Sequence, residues 1–321
     1  MVDESLMVQR MSGRKLSGLI AATYTPMTAT GDLRLDVVPK MVEKLLHDGI
    51  SGLYVCGSTG EGMSLTTPER QSVAAAFVEA SAGRLPVIVQ VGHNSLREAQ
   101  ALAAHAQEVG ANAISATCPS YFKVSNTQTL VQCMKELASA APETPFYYYH
   151  IPMLTGSNIE MPEFLTQADD AIPTLVGLKY TDTKLFEFQR CLELANRQFD
   201  VVWGCDEMLL GATATGARAA IGSTYNIAAK LYRQMTLALT SGQLDAARKW
   251  QSQSIEMIST IGRYPFHPAM KAVLAMQGLE VGSCRLPLES LSPTQTQALR
   301  NDLQAIGFFD WCRAPAESGR A

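Results

Sequence analysis

Eight short apolar runs recur along the chain at intervals of roughly thirty residues, with longer stretches of helical period between them, and this spacing dominates everything the sequence can fold into. The runs are residues 18–23, 52–55, 87–91, 113–117, 146–149, 175–180, 201–203 and 219–222. Several are apolar at almost every position, which suits strands buried on both faces of a parallel sheet. The intervening segments carry helix punctuation. Thr67-Pro68-Glu69 offers a cap, a proline for the first turn and an early acid, and Ser95-Leu96-Arg97-Glu98 has the form of a capping box. Gly49, Gly110 and Gly216 each stand where a helix should stop, a few residues before the next strand. One repeated βα unit used eight times predicts an α/β fold, a (β/α)8 TIM barrel. A doubly wound open sheet is the competing architecture, but no G-x-G-x-x-G follows a strand.

After residue 241 the strand signal stops. Helical periods over 243–261, 268–277 and 294–306 predict an appended C-terminal helical segment rather than a second functional domain. The expected organisation is a flexible tail over 1–15, the barrel over 16–241, C-terminal helices over 242–307 and a second tail over 308–321.

Composition removes several classes of function. The chain has 321 residues and a formal net charge of −4, with no basic cluster interleaved with aromatics, so nucleic acid is not an expected partner. No apolar run is long enough to cross a bilayer, and residues 1–15 lack the apolar stretch of a secretory signal. Seven cysteines without a C-x-x-C read as reduced thiols in a cytoplasmic setting. Five histidines without ligand spacing give no reason to expect a metal.

In such a barrel the chemistry gathers at the C-terminal ends of the strands. Lys179 closes the sixth run there. An ammonium is costly in apolar surroundings, which favour a neutral nucleophilic amine, and an amine on a carbonyl substrate forms a Schiff base that serves as an electron sink. The plain alternative is a strand-end lysine reaching into water. The other strand ends supply Gly57-Ser58-Thr59-Gly60-Glu61-Gly62, Pro119-Ser120-Tyr121, Tyr148-Tyr149-His150, Gly204-Cys205-Asp206-Glu207 and Gly222-Ser223-Thr224-Tyr225-Asn226. Hydroxyls beside exposed amides in the Gly57 loop suit a carboxylate, and the loop lacks the G-K-[ST] ending of a nucleotide loop. Tyr149 could be ordinary strand packing. Asp206-Glu207 could accept hydroxyls of a polyol or simply favour a helix start. His150 reads as a satisfied structural histidine, and Cys205 beside two acids is not an expected nucleophile.

Gly57-Ser58-Thr59-Gly60-Glu61, Tyr148-Tyr149-His150-Ile151-Pro152, Gly177-Leu178-Lys179 and Gly222-Ser223-Thr224-Tyr225-Asn226 together resemble the dihydrodipicolinate synthase / N-acetylneuraminate lyase superfamily of class I aldolases. The resemblance runs from about Leu16 to Pro287, and 146–152 with Arg285-Leu286-Pro287-Leu288 is similar to its lyase branch. It implies a (β/α)8 homotetramer that needs no cofactor and uses a covalent imine on Lys179 to cleave N-acetylneuraminate reversibly to pyruvate and N-acetylmannosamine. It further implies Tyr149 as acid/base and Ser58 and Thr59 on the substrate carboxylate. Tyr121 would be lent across a subunit interface to a hydroxyl relay with Thr59 and Tyr149. Ile151, Thr181, Gly204, Asp206, Glu207 and Ser223 would hold the sugar. Synthases of the superfamily carry arginine where this chain has Leu154, which cannot pair with a second carboxylate. Another pyruvate-dependent aldolase or dehydratase, and a catalytically silent keto-acid binder, are the alternative functions.

Overall fold

The computed structural model describes residues 15–194 and 198–311. Of the tails expected over 1–15 and 308–321, residues 1–14 and 312–321 lie outside the described residues. Eight strands close into a barrel in sequence order, every neighbouring pair parallel. They are β1 (Gly18–Ala22), β2 (Gly52–Val55), β3 (Val87–Gln90), β4 (Ala113–Ala116), β5 (Phe146–His150), β6 (Leu175–Tyr180), β7 (Asp200–Trp203) and β8 (Ala219–Gly222). Each lies within a residue of its apolar run, so the expected TIM barrel is the observed fold.

The punctuation works largely as read. Gly49, Gly110 and Gly216 all take positive φ at helix exits, which lets the chain reverse without a Cβ clash. The cap of helix Thr67–Ser81 falls one residue earlier than the sequence suggested: Thr66 makes the capping box with Glu69. At helix Leu96–Glu108 only half of the expected box forms, with Ser95 accepting from the Glu98 amide.

Two apolar layers result. One fills the barrel interior with Ile20, Ala22, Tyr54, Ile88, Tyr147, Tyr149, Val202 and Ile221 among others. The larger one lies between strands and helices. Alternation along β6 would normally put Val176, Leu178 and Tyr180 on one face. The register against β5 slips instead: Phe146 opposes Leu175, but Tyr147 opposes Gly177, so Val176 is an extra, unpaired residue. This bulge turns Gly177 and Lys179 inward and leaves Leu178 and Tyr180 in the outer layer. Gly177 is required, because a Cβ there would meet the Asp200 carbonyl oxygen of β7.

Beyond helix Tyr225–Thr240, helices Leu244–Ile261, Phe266–Met276 and Pro293–Ala305 pack on the barrel's outer layer. The segment after 307 opens with a helical turn, Phe308–Trp311, whose Phe308 is buried in the core. A pure tail from 308 is therefore not what the described residues form there.

Candidate active site

Parallel pairing sets Tyr149 beside Lys179, and Lys179 beside Val202, at the C-terminal mouth of the barrel. Lys179 is only 5% exposed, so its amine does not reach into bulk water. The Nζ lies 4.0 Å from the centroid of the Tyr149 ring and 4.3 Å from that of Tyr54. Those rings meet edge to face, 5.6 Å apart at 83°. Tyr54 comes from β2, and its hydroxyl donates to Ser115 Oγ of β4 at 3.1 Å. Burial holds its phenol well above the usual value, so Tyr54 stays a neutral hydrogen-bond donor. Sequence reading passed over this residue. The usable signal was strand alternation, since Tyr54 follows Gly52 by two and shares its face.

The loop after β2 is built to hold its shape. Cys56 and Glu61 adopt left-handed φ of 60° and 55°, and a Cβ on Gly62 would strike the Cys56 carbonyl. Glu61 and Lys271 form a buried ion pair at 2.7 Å. Lys271 Nζ also donates to the carbonyls of Thr25 at 2.8 Å and Ser283 at 2.6 Å, and Glu61 accepts the Arg285 amide at 2.9 Å. His267 Nε2 lies 3.1 Å from the Ser58 carbonyl. The C-terminal helix Phe266–Met276 thus forms a floor under the loop, a dependence that local sequence could not reveal. Ser58 and Thr59 are half-buried on top, and among the described residues their backbone N–H groups meet no acceptor. Two hydroxyls and two open amides make a receptor for a carboxylate.

Arg285 has a separate task. Its guanidinium donates to both oxygens of Glu69 and to the carbonyls of Ser64 and Gly31. These bonds hold the Glu69 carboxyl down at about 2.

On the opposite wall, Thr181 Oγ1 is buried without a hydrogen-bond partner, while its amide donates to the His150 carbonyl at 2.9 Å. A Cβ on Gly204 would sit 2.0 Å from that Oγ1, so only glycine lets β7 approach there. Asp206 is buried, with Oδ2 accepting from the Thr224 amide at 3.0 Å and its hydroxyl at 2.6 Å. Oδ1 has no hydrogen-bond partner. Burial raises this carboxyl to about 6, against the opposing pull of the Thr224 hydrogen bonds. Glu207 is exposed, so the two acids that looked like a pair in sequence face different surroundings. Cys205 is pushed up to about 12 by burial, with Glu207 and Asp206 adding to it, and stays a thiol. Ser223 is half-buried, and its carbonyl accepts from Asn226 Nδ2, which also donates to the Ala22 carbonyl.

Three sequence candidates stand differently from the rest. The carbonyl of buried Ile151 is taken by Leu154 N, Thr155 N and the Thr155 hydroxyl, so Ile151 offers a substrate its apolar side chain first. Tyr121 is 78% exposed with its ring edge on Phe122, and within this single chain no hydrogen bond joins it to Thr59 or Tyr149. His150 is buried but not satisfied: its Nε2 has no hydrogen bond and lies 3.9 Å from Asp182 Oδ2. Burial depresses it to about 4, leaving it neutral at ordinary pH. Asp182 and Glu187 lie close enough to His150 to suggest metal ligands. Lys184 already approaches Asp182, however, and both Glu187 oxygens accept hydrogen bonds, from the Met161 amide and the Tyr180 hydroxyl.

The mouth can therefore present a shielded amine, an adjacent phenol, a carboxylate receptor and a polar wall of hydroxyls with one acid. The dihydrodipicolinate synthetase family model matches residues 15–306. N-acetylneuraminate lyase of Xenopus tropicalis is 43% identical over 283 residues, 87% of this chain and 92% of the relative. The human N-acetylneuraminate lyase is 39% identical over 303 residues, 93% and 95% of the two chains. Among solved structures, Proteus mirabilis N-acetylneuraminate lyase superposes with a TM-score of 0.90 at 36% identity, covering 92% of this chain and all of that one. The lyase from Aliivibrio salmonicida gives 0.90 at 38%, over 92% and 98%. With the family model spanning the whole barrel and its C-terminal helices, the chain belongs to the dihydrodipicolinate synthetase family.

Proposed function

We propose that this chain is a Schiff-base aldolase that cleaves N-acetylneuraminate reversibly to pyruvate and N-acetylmannosamine. The observation that carries the reading is the shielded Lys179 amine against the Tyr149 ring, in a mouth that also holds the Ser58–Thr59 receptor. The lyases that resemble the chain over nearly all its length supply the substrate.

The amine adds to the C2 carbonyl of the open-chain sugar acid, and loss of water leaves an iminium. Removal of the C4 hydroxyl proton, with Tyr149 as the shuttle, breaks C3–C4 and sends the electron pair into the iminium. N-acetylmannosamine leaves as the aldehyde. The resulting enamine takes a proton at C3, and water then releases pyruvate and the amine. Ser58 and Thr59 hold the carboxylate, Ile151 flanks the chain, and Thr181, Gly204, Asp206, Glu207 and Ser223 receive the sugar. Lys179 itself is the electron sink, so the reaction calls for no cofactor. The same reading carries a cytoplasmic homotetramer in which the exposed Tyr121 completes a neighbour's relay with Thr59 and Tyr149.

Borohydride reduction in the presence of pyruvate, followed by mass measurement and peptide mapping, should add one pyruvyl group per chain at Lys179. A label at Lys184 or Lys123 refutes the assignment. A panel of keto-sugar acids then tests the substrate, and preference for any other sugar acid refutes that part.

A further inference from the structure

Tyr54 touches the reacting nitrogen and has no part in the mechanism above. Lys179 Nζ sits in the corner between two perpendicular ring faces, 4.3 Å from the Tyr54 centroid and 4.0 Å from that of Tyr149. Among the described residues no carboxylate forms an ion pair with Lys179. The negative faces of the two rings are thus protein groups that can stabilise a cation on that nitrogen, and they act in a desolvated mouth where such attraction is strongest. The Tyr54 ring is fixed for this purpose. Its hydroxyl is anchored on Ser115 across the barrel, its edge meets Tyr149, and Gly57 packs so closely that a Cβ there would come 2.6 Å from Tyr54 Cε1. The carboxylate loop therefore lies close against the ring.

We propose that Tyr54 is a catalytic residue, a π surface that favours the cationic iminium on Lys179 over the neutral enamine. The proposal rests on the Schiff-base reading. When the amine condenses with a ketone, water leaves and the nitrogen is left as a cation. Loss of the C3 proton to a base, or cleavage of C3–C4, turns the released electron pair into a C2–C3 double bond, and the C=N π pair becomes a lone pair that makes the nitrogen neutral. Tyr54 stabilises the first state and not the second. The ring acts on the charge of the nitrogen, so the quantity it alters is the iminium-to-enamine ratio.

Two measurements with pyruvate separate these states: borohydride trapping reports the iminium, and deuterium exchange at C3 reports passage through the enamine. Tyr54→Leu should lower the ratio of trapping to exchange by about fivefold to thirtyfold, the range of a desolvated cation–π contact. Tyr54→Phe keeps the face, loses only the Ser115 anchor, and should stay within about twofold of the parent, since its ring retains the quadrupole. A folded Tyr54→Leu with an unchanged ratio overturns the proposal, as does a Phe variant that falls as far as Leu. If Tyr54→Leu does not fold, Tyr54→Met removes the face with a longer, more adaptable side chain of similar volume and carries the same expectation. Failure of the unaltered protein to be trapped at all would strike the Schiff-base reading, not the role of Tyr54.

Discussion

Removing one member of the Glu61–Lys271 pair is the most demanding test of how this site is supported. In Lys271→Met the methionine fills most of the lysine's volume but takes away the ammonium that meets Glu61 at 2.7 Å and donates to two carbonyls. Glu61 is then a buried carboxylate whose remaining polar partner is the Arg285 amide. Breaking a buried pair from one side costs about 3–5 kcal/mol, since the partner charge is left uncompensated. For a chain of this size that corresponds to a fall in melting temperature of about 4–7 °C. Removing both charges, as Glu61→Gln with Lys271→Met, should cost less than the two single losses added together, because no orphan charge remains. The local effect should exceed the global one. Glu61 holds left-handed φ within the loop that carries Ser58 and Thr59, so loosening it should raise KM for pyruvate-forming substrates more than it lowers kcat. The assays are thermal melts of the parent, both singles and the double, with steady-state kinetics on each. A Lys271→Met protein melting within about 1 °C of the parent, less than about 1 kcal/mol of damage, refutes the reasoning.

Further outcomes follow from the wall and the rim. Tyr149→Phe should lower kcat by about 10²–10⁴-fold, the usual worth of a positioned acid/base, while pyruvate is still trapped on the lysine; near-parental turnover would reduce Tyr149 to packing. Asp206 titrates near about 6 when folded against an ordinary 3.8, so its ionisation costs stability that grows as pH rises through that window and is constant above it. Asp206→Asn should consequently melt no lower than the parent at pH 7, lose sugar cleavage and keep pyruvate trapping; a lower melting point with both activities lost would favour a helix-start role. Leu154, 56% exposed on the short helix Pro152–Thr155, tests specificity. Leu154→Arg should weaken use of N-acetylneuraminate and partly favour an aldehyde acceptor with its own carboxylate, whereas unchanged kinetics on both would remove Leu154 from the pocket.

The architecture was legible because a parallel strand buried on both faces must be apolar almost throughout, and such runs declare themselves without periodicity. The strand ends were legible too, since barrel topology fixes which end bears the site. Contacts between distant segments were not. Nothing near Glu61 in sequence announces Lys271, and nothing near Lys179 announces Tyr54 from a strand on the far side of the interior. Adjacency also misled. Asp206 and Glu207 share a spacing that suggests a pair, but the turn beginning at Asp206 sends one side chain inward and the other to solvent. His150 looked like a satisfied histidine because sequence reveals burial more readily than it reveals partners.

The unpaired Val176 makes the lysine's address a matter of counting. Because the strand carries one residue more than its neighbour over the same rise, the reading frame of inside and outside changes partway along β6. A strand that drew Val176 into the ladder instead of bulging it out would keep every named side chain of the mouth and still present Leu178 to the substrate, with the amine turned among the helices. Loss of Val176 alone would leave a regular ladder that still pairs Lys179 with Tyr149, while one residue added between Gly177 and Lys179 would turn the amine away from the mouth.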